Sequence, residues 1–228
     1  MATDYTNLLS YLGLKFNDSS LLEKAFTHRS YLNEVKNVKQ SNERLEFLGD
    51  SVLSFIISSI LYSKRPADPE GDLTNLRSYI VKTHSLAEAS EKLNLGSYLK
   101  LSKGEELSGG RNNTQLLANT FEALLGAVFL DQGILGAKKM VEEILLPLFK
   151  KEVEEGPPKD SKSLLQELVQ EQTKQSPKYK IMATHGPDHA KEFTVGVFIK
   201  GLEMGKGTGL SKQTAEEEAA KEALKKMT

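Results

Sequence analysis

Apolar positions in the first two thirds of the chain recur at the three-to-four-residue spacing of helices, and near the end they change to alternation. Between Ser19 and Phe26, the residues Leu21, Leu22, Ala25 and Phe26 share one stripe. From Ser41 to about Leu61 a longer helix presents Leu45, Leu48, Val52, Phe55 and Ile56 on its apolar face. Asp72 to Leu95 predicts one or two more helices, stopped by Gly96. Ser102 to Asn113, rich in Gly, Ser and Asn, reads as a loop. Thr114 to Leu130 reads as a strongly apolar helix that stops near Gly133, and Ile134 to about Glu152 completes an all-α unit.

The pattern breaks at Glu154-Glu155-Gly156-Pro157-Pro158-Lys159-Asp160, where two prolines after a glycine cannot continue a helix. The expected organisation is a first domain over 1–155, a linker over 156–160 and a second domain over 161–228. Beyond the linker Ser161 to Gln172 is helical, with Leu164, Leu165 and Leu168 on one side. Lys178 to Thr184 and Glu192 to Ile199 alternate as strands, separated by a turn at Gly186-Pro187. Gly201 to Gly209 is a candidate third strand, and Ser211 to Lys226 a final helix lined with alanines. The order α-β-β-β-α suits a small α+β domain with two helices on one face of an antiparallel sheet.

Composition changes this picture little. With 39% hydrophobic and 27% charged residues, the chain is an ordinary globular protein. Ser51 to Ser63, the long uncharged run of the N-terminal third, is too short and too rich in serine to span a bilayer. The start of the chain carries no basic, then apolar export signal. No cysteine is present, which excludes disulfides, thiolate zinc sites and cysteine nucleophiles. A cytoplasmic location and no membrane partner fit these features. The net charge is −1, with 18 basic against 21 acidic residues up to Pro158 and 12 lysines against 10 acids after it. Any polyanion must therefore be recognised by placed residues more than by overall charge.

Candidate chemistry concentrates in acidic side chains. At 100° per residue Glu43, Glu46 and Asp50 lie within about 60° of one another on their helix. Glu46 and Asp50 form a like-charged i,i+4 pair that a lone helix disfavours. Glu122 is the one charged residue between Arg111 and Asp131, so burial of its carboxylate is expected to be costly unless a cation compensates it. Asn119 precedes it on the same face. Two readings stand side by side: solvated carboxylates with Glu122 paired to a basic side chain, or an all-oxygen site for Mg2+ or Mn2+ built from Glu46, Asp50, Asn119 and Glu122. Zinc finds no ligand set, since the four histidines are scattered.

Asn42 to Leu53 (NERLEFLGDSVL) resembles the signature stretch of the ribonuclease III family at almost every residue. Thr27-His28-Arg29-Ser30-Tyr31, Glu70-Gly71-Asp72-Leu73, Ser108-Gly109-Gly110 and Phe121 to Gly126 agree in the same order. The last third resembles a double-stranded-RNA-binding domain through Leu165-Gln166-Glu167, Gly186-Pro187-Asp188-His189 and Ser211-Lys212. The resemblance implies an all-α endonuclease domain followed by a dsRNA-binding domain. It further implies a metal-dependent endoribonuclease that processes rRNA and mRNA precursors, leaving 5′-phosphate and 3′-hydroxyl ends.

By the same resemblance Glu46, Asp50 and Glu122 match metal-binding carboxylates, and Glu43 and Glu70 match acidic positions lining the cleavage groove. Two Mg2+ ions, with Mn2+ as a substitute, would serve the hydrolysis, and no small-molecule cofactor is expected. Family members are homodimers, and Phe47 matches a position packing across their interface, though its spacing also suits plain core. Gln166 and Gln170 are assigned to one minor groove, the loop of Pro187 and His189 to the next, and Ser211, Lys212 and Gln213 to intervening phosphates. Asn119 departs from the family, which usually has Asp there. A neutral amide would weaken cation binding, so a catalytically silent dsRNA-binding homodimer is the alternative function.

Overall fold

A computed structural model of the chain describes residues 4–156, 160–187 and 191–227, in two units, 1–157 and 158–228. Pro157, Pro158 and Lys159, the middle of the expected linker, lie outside the described residues. The first unit holds α1 (Thr6–Leu12), α2 (Ser19–Ala25), α3 (Glu43–Lys64), α4 (Glu70–Ile80), α5 (Thr83–Lys92), α6 (Lys103–Leu107), α7 (Thr114–Met140) and α8 (Lys150–Glu155). Short 3₁₀ and π turns join several of them. This is the helical unit the spacing predicts, with three differences.

Helix α1 has no counterpart in the sequence reading; Tyr5, Leu8 and Leu12 bury one face of it, and Gly13 at φ 58° ends it. The expected loop from Ser102 contains α6, whose first turn is capped by the Ser102 hydroxyl accepting from Glu105 N at 3.2 Å. Arg111 secures the rest of that segment by donating to the carbonyls of Gly96, Ser97 and Leu99. Phe55, expected on the apolar face of α3, is 63% exposed. Gly133 (φ 71°, ψ −169°) breaks α7 into two helical stretches, where the sequence places a stop.

Helices α3 and α7 are long and apolar enough to cross a membrane by composition alone. Here their apolar sides are spent on the core. Leu53, Ile56, Ile57 and Leu61 of α3 join Phe121, Leu124, Leu125 and Val128 of α7 in one buried cluster. The two backbones touch where each has a glycine. A Cβ on Gly49 would stand 1.8 Å from the Glu122 carbonyl oxygen, and one on Gly126 would stand 2.3 Å from that of Leu45. Only hydrogen at both positions allows so close a crossing.

The second unit comprises α9 (Ser161–Thr173), β1 (Lys178–His185), β2 (Glu192–Ile199), β3 (Leu202–Gly209) and α10 (Lys212–Met227). The strands form an antiparallel sheet in the order β1-β2-β3. Val197 and Ile199 on β2 meet Leu165 and Val169 of α9 and Ala219, Ala220 and Ala223 of α10. Leu164, expected on the buried side of α9, is 41% exposed. The glycines of β3 let α10 lie directly on the strand: a Cβ on Gly207 would approach Ala219 N to 2.3 Å.

Candidate active site

The crossing of α3 over α7 decides what faces what. Gly49 lies against the backbone of Glu122, so the residues flanking Gly49, one turn before it and just after it, come opposite the site face of α7. Glu46 and Asp50 thereby meet Asn119 and Glu122. Their mutual influence is direct: burial first, then the charges of Asp50 and Glu46, pushes the Glu122 carboxyl up to about 7. Glu46 is also raised, by burial first and then by the charges of Glu43 and Asp50, while a hydrogen bond from Asn119 pulls it the other way. Among the described residues no lysine or arginine forms an ion pair with Glu46, Asp50 or Glu122. The pairing of Glu122 with a basic side chain, weighed from sequence, therefore does not occur there.

Glu43 is treated differently. It opens α3, accepts from the Ser41 hydroxyl at 2.7 Å and pairs with Arg29 at 3.3 Å. A cavity of about 210 Å³ beside the cluster is lined by His28, Arg29, Glu43, Glu46 and Asn119, among others. His28 engages Ser30 through Nδ1, and its pKa is lowered chiefly by burial. Glu70 is the first residue of α4; it does not line that cavity, and its carboxylate accepts from Thr74 at 2.9 Å.

Three carboxylates and one carboxamide from two helices are hard oxygen donors, suited to a divalent ion such as Mg2+ or Mn2+. Among the described residues no basic side chain pairs with the raised Glu122 carboxyl, and a divalent cation would balance its charge. Among the described residues no three His, Cys, Asp or Glu side chains are gathered into a ready-made metal site. Like charges repel without a cation between them, and the Asn119 oxygen is engaged along its own helix. It accepts from Gln115 Nε2 at 2.7 Å. Gln115 escaped the sequence reading, although its i,i+4 spacing to Asn119 is that of a helix side-chain pair.

Phe47 projects away from this cluster and is 78% exposed, which rules out plain core within one protomer. Phe55 and Tyr62, at similar angles around α3, are 63% and 77% exposed.

In the second unit Gln166 and Gln170 are exposed on α9, and Gln170 donates to the Ser176 hydroxyl at 3.2 Å. Pro187 is exposed after β1, while His189 lies outside the described residues. Ser211, Lys212 and Gln213 are exposed around the start of α10, where Ser211 Oγ accepts from Thr214 N at 3.1 Å. The acidic run that follows serves the fold. Glu217 accepts from the N-terminal amide of Ser161 at 2.7 Å, Glu216 pairs with Lys162 at 2.5 Å, and Glu218 pairs with Lys221 at 2.6 Å. Two of the three acids thus bind the start of α9 to α10.

Comparison with known proteins gives a consistent result. Residues 18–148 match the family model described as Ribonuclease-III-like, and residues 161–227 match the double-stranded RNA binding motif. The chain is 46% identical over 222 residues to Ribonuclease 3 of Pelotomaculum thermopropionicum, covering 97% of this chain and 92% of that one. It is 48% identical over 223 residues to Ribonuclease 3 of Streptococcus gordonii, covering 96% and 94%. Among solved structures, a nuclease domain of ribonuclease III from Campylobacter jejuni aligns with a TM-score of 0.61 at 36% identity, over 64% of this chain and 99% of that one. The work on that domain concerns flexibility in a region involved in its dimer formation.

Proposed function

The chain belongs to the ribonuclease III family, and from that membership we propose that it is an endoribonuclease that hydrolyses double-stranded RNA. The observation that carries this reading is the α3–α7 crossing, which brings Glu46 and Asp50 opposite Glu122 with no ion pair to a basic side chain among the described residues. Mg2+ held there, with Mn2+ as a substitute and in a two-ion arrangement, would supply an activated water and neutralise charge at the scissile phosphate. The chain's own part is placement. Asp50 and Glu122 come from different helices fixed by backbone contact, so their separation is set by the core and not by loops. Glu46 stands one turn before Asp50 on α3. Glu43, tied to Arg29, and Glu70 are assigned to the groove that receives the duplex.

The exposed row Phe47, Phe55 and Tyr62 supports a homodimer through α3. RNA contacts are assigned to Gln166 and Gln170 for a minor groove, to Pro187 with His189 for a second, and to Ser211, Lys212 and Gln213 for phosphates between them. The exposed N-terminus of α10 adds backbone amides suited to an anion. Processing of rRNA and mRNA precursors in the cytoplasm, with 5′-phosphate and 3′-hydroxyl products, belongs to the same proposal.

The test is cleavage of a long, perfectly paired RNA and of its separated strands, each with Mg2+ and with chelator. Mg2+-dependent cutting of the duplex into short duplexes supports the proposal. Tight binding without cutting would move the function to that of a silent binder.

A further inference from the structure

The sheet of the second unit has two faces, and α9 and α10 pack on one of them. Val197 and Ile199 of β2 meet the helices, so Phe198 between them stands on the other face. Lys178 of β1 is its partner in register, and Lys180 follows two residues on, opposite Gly196. Alternation puts both lysines on the same open face as Phe198. Lys180 Nζ lies 5.1 Å from the centre of the Phe198 ring. Lys200 completes the group from the β2–β3 turn, where it and Gly201 take the left-handed angles of a two-residue hairpin (φ 51° and 85°). Gln175, Ser176, Lys178, Lys180, Phe198 and Lys200, among others, line a hollow of about 640 Å³ there. Among the described residues no carboxylate lines it; Glu203, opposite Phe198 on β3, is not one of its walls. Nor, among the described residues, does any of the three lysines form an ion pair.

Cations grouped around an aromatic ring suit a single nucleic-acid strand, whose phosphates meet the charges while a base stacks on the ring. A paired strand keeps its bases inside the helix, and a row of carboxylates leaves the ring unused. We propose that this hollow is a second RNA site, separate from the assigned duplex contacts, and that it takes an unpaired strand. Phosphates lie on Lys178, Lys180 and Lys200, and one base lies on Phe198. Lys180 is long and exposed, so moving its ammonium to a phosphate uncovers the ring. The residues assigned to duplex phosphates belong to the opposite end of the sheet. Lys212 opens α10 just beyond Gly209, whose partner Phe193 is about 17 Å along β2 from Phe198. Gln170, assigned to a minor groove, reaches the rim of the hollow and donates to the Ser176 hydroxyl at 3.2 Å. The site thus extends the second unit from a duplex to the strand beside it, and none of it depends on the acidic cluster of the first unit.

The experiment follows a fluorescent short oligoadenylate binding to the full chain in chelator, by anisotropy over a series of salt concentrations. Lys178 and Lys180 are exposed, so replacing them leaves the fold intact. Lys178→Gln combined with Lys180→Gln is expected to lower the slope of log affinity against log salt by about 1.4, since each phosphate contact on a single strand contributes about 0.7. Phe198→Leu should weaken binding about tenfold, the scale of one base–aromatic stack, and Phe198→Tyr should keep it within about twofold of the native chain. An excess of short blunt RNA duplex should leave the strand bound. Absence of binding by the native chain, displacement by the duplex, or an unchanged salt slope overturns the proposal. Full binding by Phe198→Leu does so too, and a short polyglutamate peptide bound as tightly as the RNA would give the face to an acidic protein partner instead. Strand binding is scored without cleavage, so its failure is distinct from failure of the endonuclease reading.

Discussion

Replacing Gly49 by alanine tests whether the helix crossing builds the site. A Cβ there would stand 1.8 Å from the Glu122 carbonyl oxygen, where ordinary contact begins at 3.4 Å. The obstacle is backbone on a central helix, so no side chain can swing aside, and α3 and α7 must separate by about 1.6 Å. Alanine favours a helix over glycine by about 1 kcal/mol, whereas overpacking of this kind costs about 1–3 kcal/mol or more. With rigid backbone on both sides the clash wins, for a net loss of about 2 kcal/mol. In a unit of this size that lowers Tm by about 4–8 °C. Separation by more than 1 Å also misplaces Glu46 and Asp50 relative to Glu122, and misplacement on that scale costs about 10²-fold in rate. Thermal unfolding and cleavage of paired RNA under saturating Mg2+ are the assays. Gly104→Ala is the control, because a Cβ at Gly104 meets nothing within 4 Å; it should leave cleavage unchanged and Tm equal or slightly higher. If Gly49→Ala behaved like Gly104→Ala in both assays, the crossing would not be what sets the site.

Other outcomes follow from the same geometry. Glu122 has its folded pKa raised to about 7 from 4.5, chiefly by burial and then by Asp50 and Glu46. Its contribution to stability is therefore complete below pH 4.5 and lost as pH rises through about 7. The full shift corresponds to about 3 kcal/mol, reduced by partial exposure to about 1–2 kcal/mol. In chelator, the Tm of the native chain should fall relative to Glu122→Gln between pH 5 and 8, and Mg2+ should remove the difference; parallel pH curves would contradict this. Phe47→Asp should turn a dimer into a monomer in sedimentation equilibrium, and an intact dimer would refute the assigned interface. Lys212→Ala should weaken duplex binding across sequences and lower the salt slope by about 1; an unchanged slope would remove Lys212 from the phosphate contacts.

Much of this architecture is legible in the residues, and the exceptions have physical reasons. Strand β2 stands at Glu192–Ile199, as the sequence indicates, and its Val197 and Ile199 meet the two helices. Helix α1 escapes because a seven-residue segment gives its apolar positions too few turns to establish a period; tertiary burial of Tyr5, Leu8 and Leu12 makes it. The segment from Ser102 reads as loop because its order comes from Arg111 reaching carbonyls 12 to 15 residues away. Phe55 reads as core because periodicity identifies an apolar face without saying whether the same chain covers it. At the site, spacing pairs Glu46 with Asp50 and singles out Glu122 as a lone charge, while their metal-binding role comes from the family resemblance alone. Spacing is silent on Gly49 and Gly126, which look like helix weaknesses until the opposing backbone is known. Asn119 Oδ1 accepts from Gln115, a surface glutamine by composition. Glu216 and Glu217, carboxylates that look like plain surface charge in the sequence, hold α9 against α10.

The most direct test compares the native chain with Glu122→Gln on one paired RNA, scoring binding and cleavage in the same reactions with Mg2+. The expected result is that both proteins bind the duplex with equal affinity and only the native chain cuts it. Cleavage by Glu122→Gln at the native rate would contradict the assignment of the α3–α7 cluster as the active site.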